Sequence, residues 1–526
     1  MKKINILFVL LGTVLGLSSC NSFLDELPDD RAELDSQAKI TSLLVSAYST
    51  HSPALVMENS TDNELDNGPL YTSNRTQEEA YLWKSITNES NDDPKLIWQA
   101  GYEAVAAANQ VLQAISDLGN PTSLNAQRGE ALMCRAWAIF RLSNIFCLAY
   151  NPQTADKDLG LPYPLEPETH VVVTYKRGSM KELYGKINKD IEEALPLIDD
   201  NIYTIPKYHF NRKATYAFAT RFNLYYLQYD KVISYANEVL GENTSINQLR
   251  NYALYMSLGY ADCGNQWIQA TESANLMMQT AYSLAGRMLC GLSFKRYGHG
   301  SSTINNNETY RALGPWGTKG SGGLLYPATH MFGAEQNVYF PNQVELFEIT
   351  DKVNQTGLAH IVEVPFTTDE TLTCRAEAYV MTKQYDKALV DLNLWQQSHC
   401  YVTHNNYTLK TLTLDYLKTF YDAIVYTPVP VQADKDRTIK KTLNPQGFTV
   451  EPGDQENLIQ CILHFRRIDA IKTGLRFCDL KRYGVSFSHN VYGADPIVFK
   501  VGDLRGAVQL PNDVITAGLE ANPREN

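Results

Sequence analysis

A four-residue string, Gln228-Tyr229-Asp230-Lys231, returns far downstream as Gln384-Tyr385-Asp386-Lys387. In each copy a helical pattern containing an arginine (Arg221, Arg375) precedes the string, and an Ala- or Val-rich helical pattern follows it. Around the second copy, Ala376, Tyr379, Ala388 and Leu392 occupy the small, aromatic, small and large positions of a tetratricopeptide unit of roughly 34 residues. Small residues let two helices approach closely, and a unit of this kind buries its apolar face only by stacking on neighbours. The fold class expected is mainly α, with tetratricopeptide-like helix pairs forming an α-α superhelix interrupted by long loop-rich excursions.

Hydrophobic periodicity places the helices. Asp35-Ser36 offers an N-cap for a helix running to about Tyr48, with Ile40, Leu43, Leu44 and Ala47 on one face. Further helices are expected at 96–118, 125–150, 179–197, 212–228 and 230–240, then as a pair near 370–399, and over 458–479. Residues 264–289 read as helical in part, 404–454 as loop-rich and 485–526 as mostly extended. The span 51–94 mixes Asn, Asp, Ser, Thr and Pro with Tyr and Trp, the span 294–345 mixes Gly, Ser and Asn with Tyr and Trp, and loops of that length in compact domains are usually functional. No polar linker divides the chain, so 20–526 is expected as one domain with a helical part at about 20–240 and a loop-rich part at about 241–526.

The first residues have an export-signal order: Lys2 and Lys3, an apolar run from Ile4 to Leu17, then small residues before Cys20. The run falls short of the about 20 apolar residues that a membrane span requires. Residues 1–19 are expected to be a cleaved signal peptide. Cys20 resembles the lipid-acceptor cysteine of a lipobox, the alternative being an ordinary secretory signal with an incidental cysteine. Acyl chains contribute about 0.8 kcal/mol per buried methylene, so two or three would hold the protein at a membrane by lipid alone.

Net charge is −12, and −14 once Lys2 and Lys3 leave with the signal. Such a surface repels phosphate backbones and argues against a nucleic-acid partner. The eight cysteines beyond Cys20 are scattered without CxxC spacing; several lie inside apolar helical patterns, where a thiol packs as a small core side chain. Disulfide pairing is the other possibility, and spacing alone does not decide it.

No HExxH, nucleophile elbow, phosphate loop or GxGxxG occurs, and no cofactor is implied. Asp62, Glu64 and Asp66 before Gly68 superficially resemble a calcium loop, but the glycine is displaced and no closing Glu follows, so no metal site is assigned. A pyranose offers a C–H face that stacks on aromatic rings and hydroxyls that need Asn, Asp or Arg. Tyr71, Trp83, Tyr297, Trp316 and Tyr326 are the candidate rings, with Asp62 and Asn91 as polar partners. Trp316 stands first, because Gly314-Pro315 and Gly317 should hold it in a tight exposed turn.

The chain as a whole resembles the SusD/RagB-like surface lipoproteins of Bacteroidetes. The resemblance rests on Cys20 with Phe23-Leu24-Asp25 and Pro28, Trp98 to Tyr102 with Asn109, Gly129-Glu130-Ala131 with Arg135-Ala136, Gly160-Leu161-Pro162, and Asp190-Ile191 with Ala194-Leu195. It continues through Phe366 to Glu370, Arg375 to Tyr379, Asp391-Leu392-Asn393, Arg466-Arg467, Gly474-Leu475-Arg476, Asp479 to Gly484, Leu510-Pro511 and Asn522-Pro523. Cys478 stands where the family often has an aromatic residue. The resemblance implies a glycan-binding lipoprotein of the outer-membrane surface without catalysis, partnered with a SusC-like TonB-dependent transporter. The competing readings are a surface glycoside hydrolase and a tetratricopeptide protein that binds peptide.

Overall fold

The structure is a computed structural model that describes residues 34–168, 174–291, 293–327 and 333–524. Cys20 and the motif at 23–28 lie outside the described residues.

In chain order the elements used below are α1 (Gln37–Leu44), α2 (Ala54–Asn59), β1 (Leu65–Asp66), α3 (Arg75–Tyr81), α4 (Pro94–Asp117), α5 (Asn125–Phe146), α6 (Met180–Ala194), α7 (Arg212–Tyr225) and α8 (Tyr229–Leu240). They continue as α9 (Tyr260–Trp267), β2 (Asn275–Tyr282), β3 (Tyr297–Gly298), β4 (Leu346–Asp351), β5 (Thr356–Thr367), α10 (Thr368–Met381) and α11 (Tyr385–His399). The last are α12 (Leu414–Asp422), α13 (Asp454–Asp469), α14 (Leu475–Arg482), β6 (Phe487–Val491) and β7 (Ala494–Phe499).

The helical scaffold forms where periodicity places it, and local chemistry sets its ends. Asp93 caps α4 by accepting the Leu96 N–H at 2.7 Å, with Pro94 at the first helical position. Ser179 and Glu182 close a reciprocal capping box on α6. Gly101 lets α4 lie tightly on α5, since a Cβ there would sit 2.7 Å from Leu142. The fold is the mainly α, tetratricopeptide-like architecture.

The repeated string is a repeated turn. Leu227 and Lys383 adopt positive φ (61° and 60°), and the Gln after each donates its N–H five residues back, Gln228 to Asn223 O at 2.9 Å and Gln384 to Tyr379 O at 2.7 Å. A second repetition is chemical. Arg135 forks onto Asp190 at 2.7 and 2.8 Å and reaches Asn109 at 2.8 Å, while Arg375 forks onto Asp391 at 2.9 and 2.7 Å and reaches Asn237 at 2.9 Å. Each buried arginine ties three helices together: α4, α5 and α6 in one case, and α8, α10 and α11 in the other. Ala376 and Ala388 are fully buried in the second unit.

Several expectations for the connections are corrected. The span 51–94 contains α2 and α3, and 404–454 contains α12. The partly helical reading of 264–289 holds at its two ends, in α9 up to Trp267 and in a π-helical turn at Gly286–Cys290, but residues 275–282 form β2, an edge strand of an antiparallel sheet of order β2-β5-β4. The helix expected over 458–479 breaks at Gly474 (φ +80°), whose missing Cβ also leaves room for Met57 of α2. At the C-terminus β6 and β7 form a hairpin.

The loops are bolted to the scaffold by buried charge. Glu308 accepts from Lys441 at 2.8 Å and Arg467 at 2.7 Å, and Lys472 donates to Glu64 at 3.0 Å. Arg466 and Arg482 converge on Glu377. The eight cysteines of the described residues are buried free thiols. No helix among the described residues is long and apolar enough to cross a membrane.

Candidate functional site

The two aromatic loop regions meet. β1 pairs antiparallel with β3, Leu65 opposite Gly298 and Asp66 opposite Tyr297, and Asn67 Nδ2 donates to Lys295 O at 2.7 Å and Gln336 O at 3.0 Å. The β6–β7 hairpin joins them through Asn490, whose Nδ2 donates to Asp66 O at 3.0 Å.

Beneath this junction lies a column of rings. Trp83 stacks on His489 at 4.2 Å, His489 on Tyr81 at 4.1 Å, and Tyr81 on Tyr297 at 4.6 Å. All four are buried, and Trp83 Nε1 donates to Ser60 O at 3.1 Å. The sequence-selected Trp83 and Tyr297 thus share one structure, but as packing that joins loops to hairpin. Asp62 lies in the same region and is also buried. Burial alone would raise its carboxyl; Arg467 and Arg476 overcome this and hold it well below the ordinary carboxylate range. Arg476 takes both Asp62 oxygens at 2.9 Å. The loosely calcium-like carboxylates are therefore paired with protein cations: Asp62 with Arg476, Glu64 with Lys472, and Asp66 with Arg296 at 3.2 Å.

The exposure expected of Trp316 is corrected. The turn is tight, with Gly317 N–H donating to Gly314 O at 2.9 Å, but the indole folds inward over Gly314 and is 1% exposed. A Cβ at Gly314 would fall 2.2 Å from that ring. It stacks against His464 at 5.4 Å and faces Phe465 and Trp395, side chains of α13 and α11. Tyr326 lies apart from the junction, half-buried against Tyr401 at 4.0 Å. Asn91 is half-buried just ahead of the α4 cap.

What the junction leaves open is its outer rim. Gly68 (φ +97°) turns the chain so that the Tyr71 N–H donates to Gly68 O at 3.2 Å, and Tyr492 packs over that glycine, within 2.8 Å of where a Cβ would stand. Tyr492 remains 63% exposed, Tyr71 is half-buried and Leu70 is almost fully exposed. Asp66 fixes the rim from below, accepting the N–H groups of Gly68 at 2.9 Å and Tyr492 at 3.1 Å. Arg296 and Glu78 stand beside it, 3.8 Å apart. A ring held by a backbone contact, with a guanidinium and a carboxylate alongside, can stack on a sugar face and bond its hydroxyls. Sequence reasoning included Tyr71 and missed Tyr492, for which Gly493 (φ +74°) is the one local turn signal.

Residues 22–242 match the SusD-like_3 family, described as starch-binding and associating with the outer membrane. Over those residues the chain is similar to the SusD-like proteins. Its whole fold agrees: a SusD superfamily protein from Bacteroides thetaiotaomicron VPI-5482 superposes with a TM-score of 0.58 at 18% identity, covering 92% of this chain and 98% of its own. One from Bacteroides fragilis gives 0.62 at 14% identity, covering 92% and 99%. A SusD-like carbohydrate binding protein from Bacteroides vulgatus ATCC 8482 gives 0.58 at 15% identity, covering 88% of each chain. At these identities the structural likeness establishes the SusD fold. No curated protein matches the sequence.

Proposed function

We propose that this SusD-like protein binds glycan at the outer-membrane surface and passes it to a TonB-dependent transporter of the SusC type, without altering it chemically. The observation that carries the reading is the rim of the loop junction, where Tyr492 lies exposed over Gly68 beside Tyr71, Arg296 and Glu78. A single ring contributes on the order of 1 kcal/mol, so affinity would come from several weak contacts along a chain. The family description, starch-binding and associating with the outer membrane, supports both ligand class and location. Lipid attachment at Cys20 would supply the tether.

The test is a polysaccharide array probed with the full chain in mild detergent, with reducing-end release measured on every polysaccharide that binds. Binding without release is the expected result. Release of new reducing ends would favour a hydrolase, and no binding to any polysaccharide would favour a peptide ligand.

A further inference from the structure

Below the loop junction, two carboxyls share one ammonium out of reach of water. Glu58 of α2, Glu64 just ahead of β1 and Lys472 in the turn from α13 to α14 are fully buried. Lys472 Nζ donates to Glu64 Oε1 at 3.0 Å and to Asn337 Oδ1 at 3.1 Å. Glu58 has a donor on each oxygen, Asn63 Nδ2 at 2.9 Å and the Gly474 N–H at 3.0 Å. The second oxygen of Glu64, Oε2, is buried with no hydrogen-bond partner among the described residues.

Two carboxylates against one ammonium leave one negative charge unmet. The other cations of the region are already engaged: Arg476 holds Asp62, while Lys441, Arg467 and Arg437 hold Glu308. His299 stays neutral, since burial lowers it and the Lys472 charge lowers it further. Cys290, which feels Glu58, Glu64 and Lys472 together, stays a thiol, raised to about 12 by burial. An unmet buried charge is costly, and a held proton removes it. Glu64 is the carboxyl that can hold one, because its Oε2 carries no donor, whereas both oxygens of Glu58 do.

The position of the group gives that proton a consequence. Glu64 stands two residues ahead of Asp66, which accepts the N–H groups of Gly68 and Tyr492. Lys472 stands two residues ahead of Gly474, where the long helical segment breaks. The bond between them therefore closes the loop that carries the rim onto the turn between α13 and α14.

We propose that Glu58, Glu64 and Lys472 form a proton-operated latch, which holds the β1 segment on the α13–α14 turn while Glu64 is protonated and loosens that segment to water when the proton leaves. Burial raises the Glu64 carboxyl from 4.5 to about 7, with Lys472 opposing and the Glu58 charge adding to the rise. The folded state thus binds this proton more tightly than the unfolded state does. The contribution of the latch is full below about pH 4.5 and is lost as pH rises through about 7. It does not depend on what the rim binds.

Hydrogen–deuterium exchange of the full chain at pH 5, 7 and 8.5, corrected for the intrinsic pH dependence of amide exchange, tests it on peptides covering 60–70 and 468–476. The expected result is a fall in protection of about tenfold or more in both between pH 5 and 8.5, with little change in peptides from α4 and α5. Glu64→Gln keeps an acceptor for Lys472 without a titrating proton, so the fall should vanish. Glu58→Gln leaves one carboxylate to one ammonium, so the fall should shrink. Asp92→Asn, at a buried carboxyl that accepts from Ser283, should leave the fall in place. Protection that does not change with pH in the wild type overturns the proposal. So does a full fall that persists in either glutamate variant, one that Asp92→Asn abolishes, or one that α4 and α5 share equally.

Discussion

Arg476 of α14 holds both carboxylate oxygens of Asp62 at 2.9 Å across 414 residues of sequence, with both side chains buried. The pair locks the junction of loop and scaffold, with Arg467 adding a bond to Asp62 O at 3.0 Å. Removing one partner of a buried pair leaves the other charge unpaired and typically costs about 3–5 kcal/mol. Asp62→Asn is expected to lower stability by that order in urea denaturation; a change within error of wild type would show that the pair does not hold the loop.

The second tetratricopeptide unit depends on small residues. Ala388 is fully buried in α11 where it packs on α10. Ala388→Leu should therefore overpack the contact and cost about 1–3 kcal/mol, read as a lower Tm. An unchanged Tm would mean that the two helices are not closely packed there.

Trp316 is a wedge between α11 and α13. Truncation to alanine should cost about 3–5 kcal/mol, the range for large aromatic residues in cores. Glycan affinity measured well below the lowered Tm should match wild type. A selective loss of affinity with Tm unchanged would return Trp316 to the binding surface.

Asp92 makes stability depend on pH. Burial raises its carboxyl from 3.8 to about 6, against hydrogen bonds from Ser283 Oγ and the Leu284 N–H that favour the anion. The folded state therefore binds this proton more tightly than the unfolded state does. The contribution is full below about pH 4 and is lost as pH rises through about 6, on the order of 3 kcal/mol in all. Asp92→Asn keeps an acceptor for Leu284 and gains a donor for Ser283. Its stability relative to wild type should improve as pH rises from 4 to 7 in urea titrations, and a constant difference across that range would contradict the assignment.

Much of the scaffold is legible in the sequence because its signals are local. Helical periodicity and the repeated Gln-Tyr-Asp-Lys turn each involve residues a few positions apart, whereas the N-cap expected of Ser36 makes no side-chain bond. The candidate site is less legible because its neighbours are remote. Nothing near Asp62 announces Arg476, and nothing near Trp316 announces His464, Phe465 or Trp395. An aromatic residue in a glycine-rich loop reads the same whether its ring turns outward or inward; at Trp316 the missing Cβ of Gly314 lets it turn inward. Tyr492 shows the converse, an exposed ring whose importance follows from Gly68, more than four hundred positions earlier.

The measurement closest to the central claim is affinity electrophoresis of wild type and Tyr492→Ala through gels containing a polysaccharide that binds on the array, paired with thermal denaturation of both proteins. Tyr492 is exposed and its ring rests on a glycine, so its removal should leave Tm nearly unchanged. The account predicts a several-fold weaker retardation of the variant at equal Tm. Retardation equal to wild type would contradict it and move glycan binding away from the loop rim.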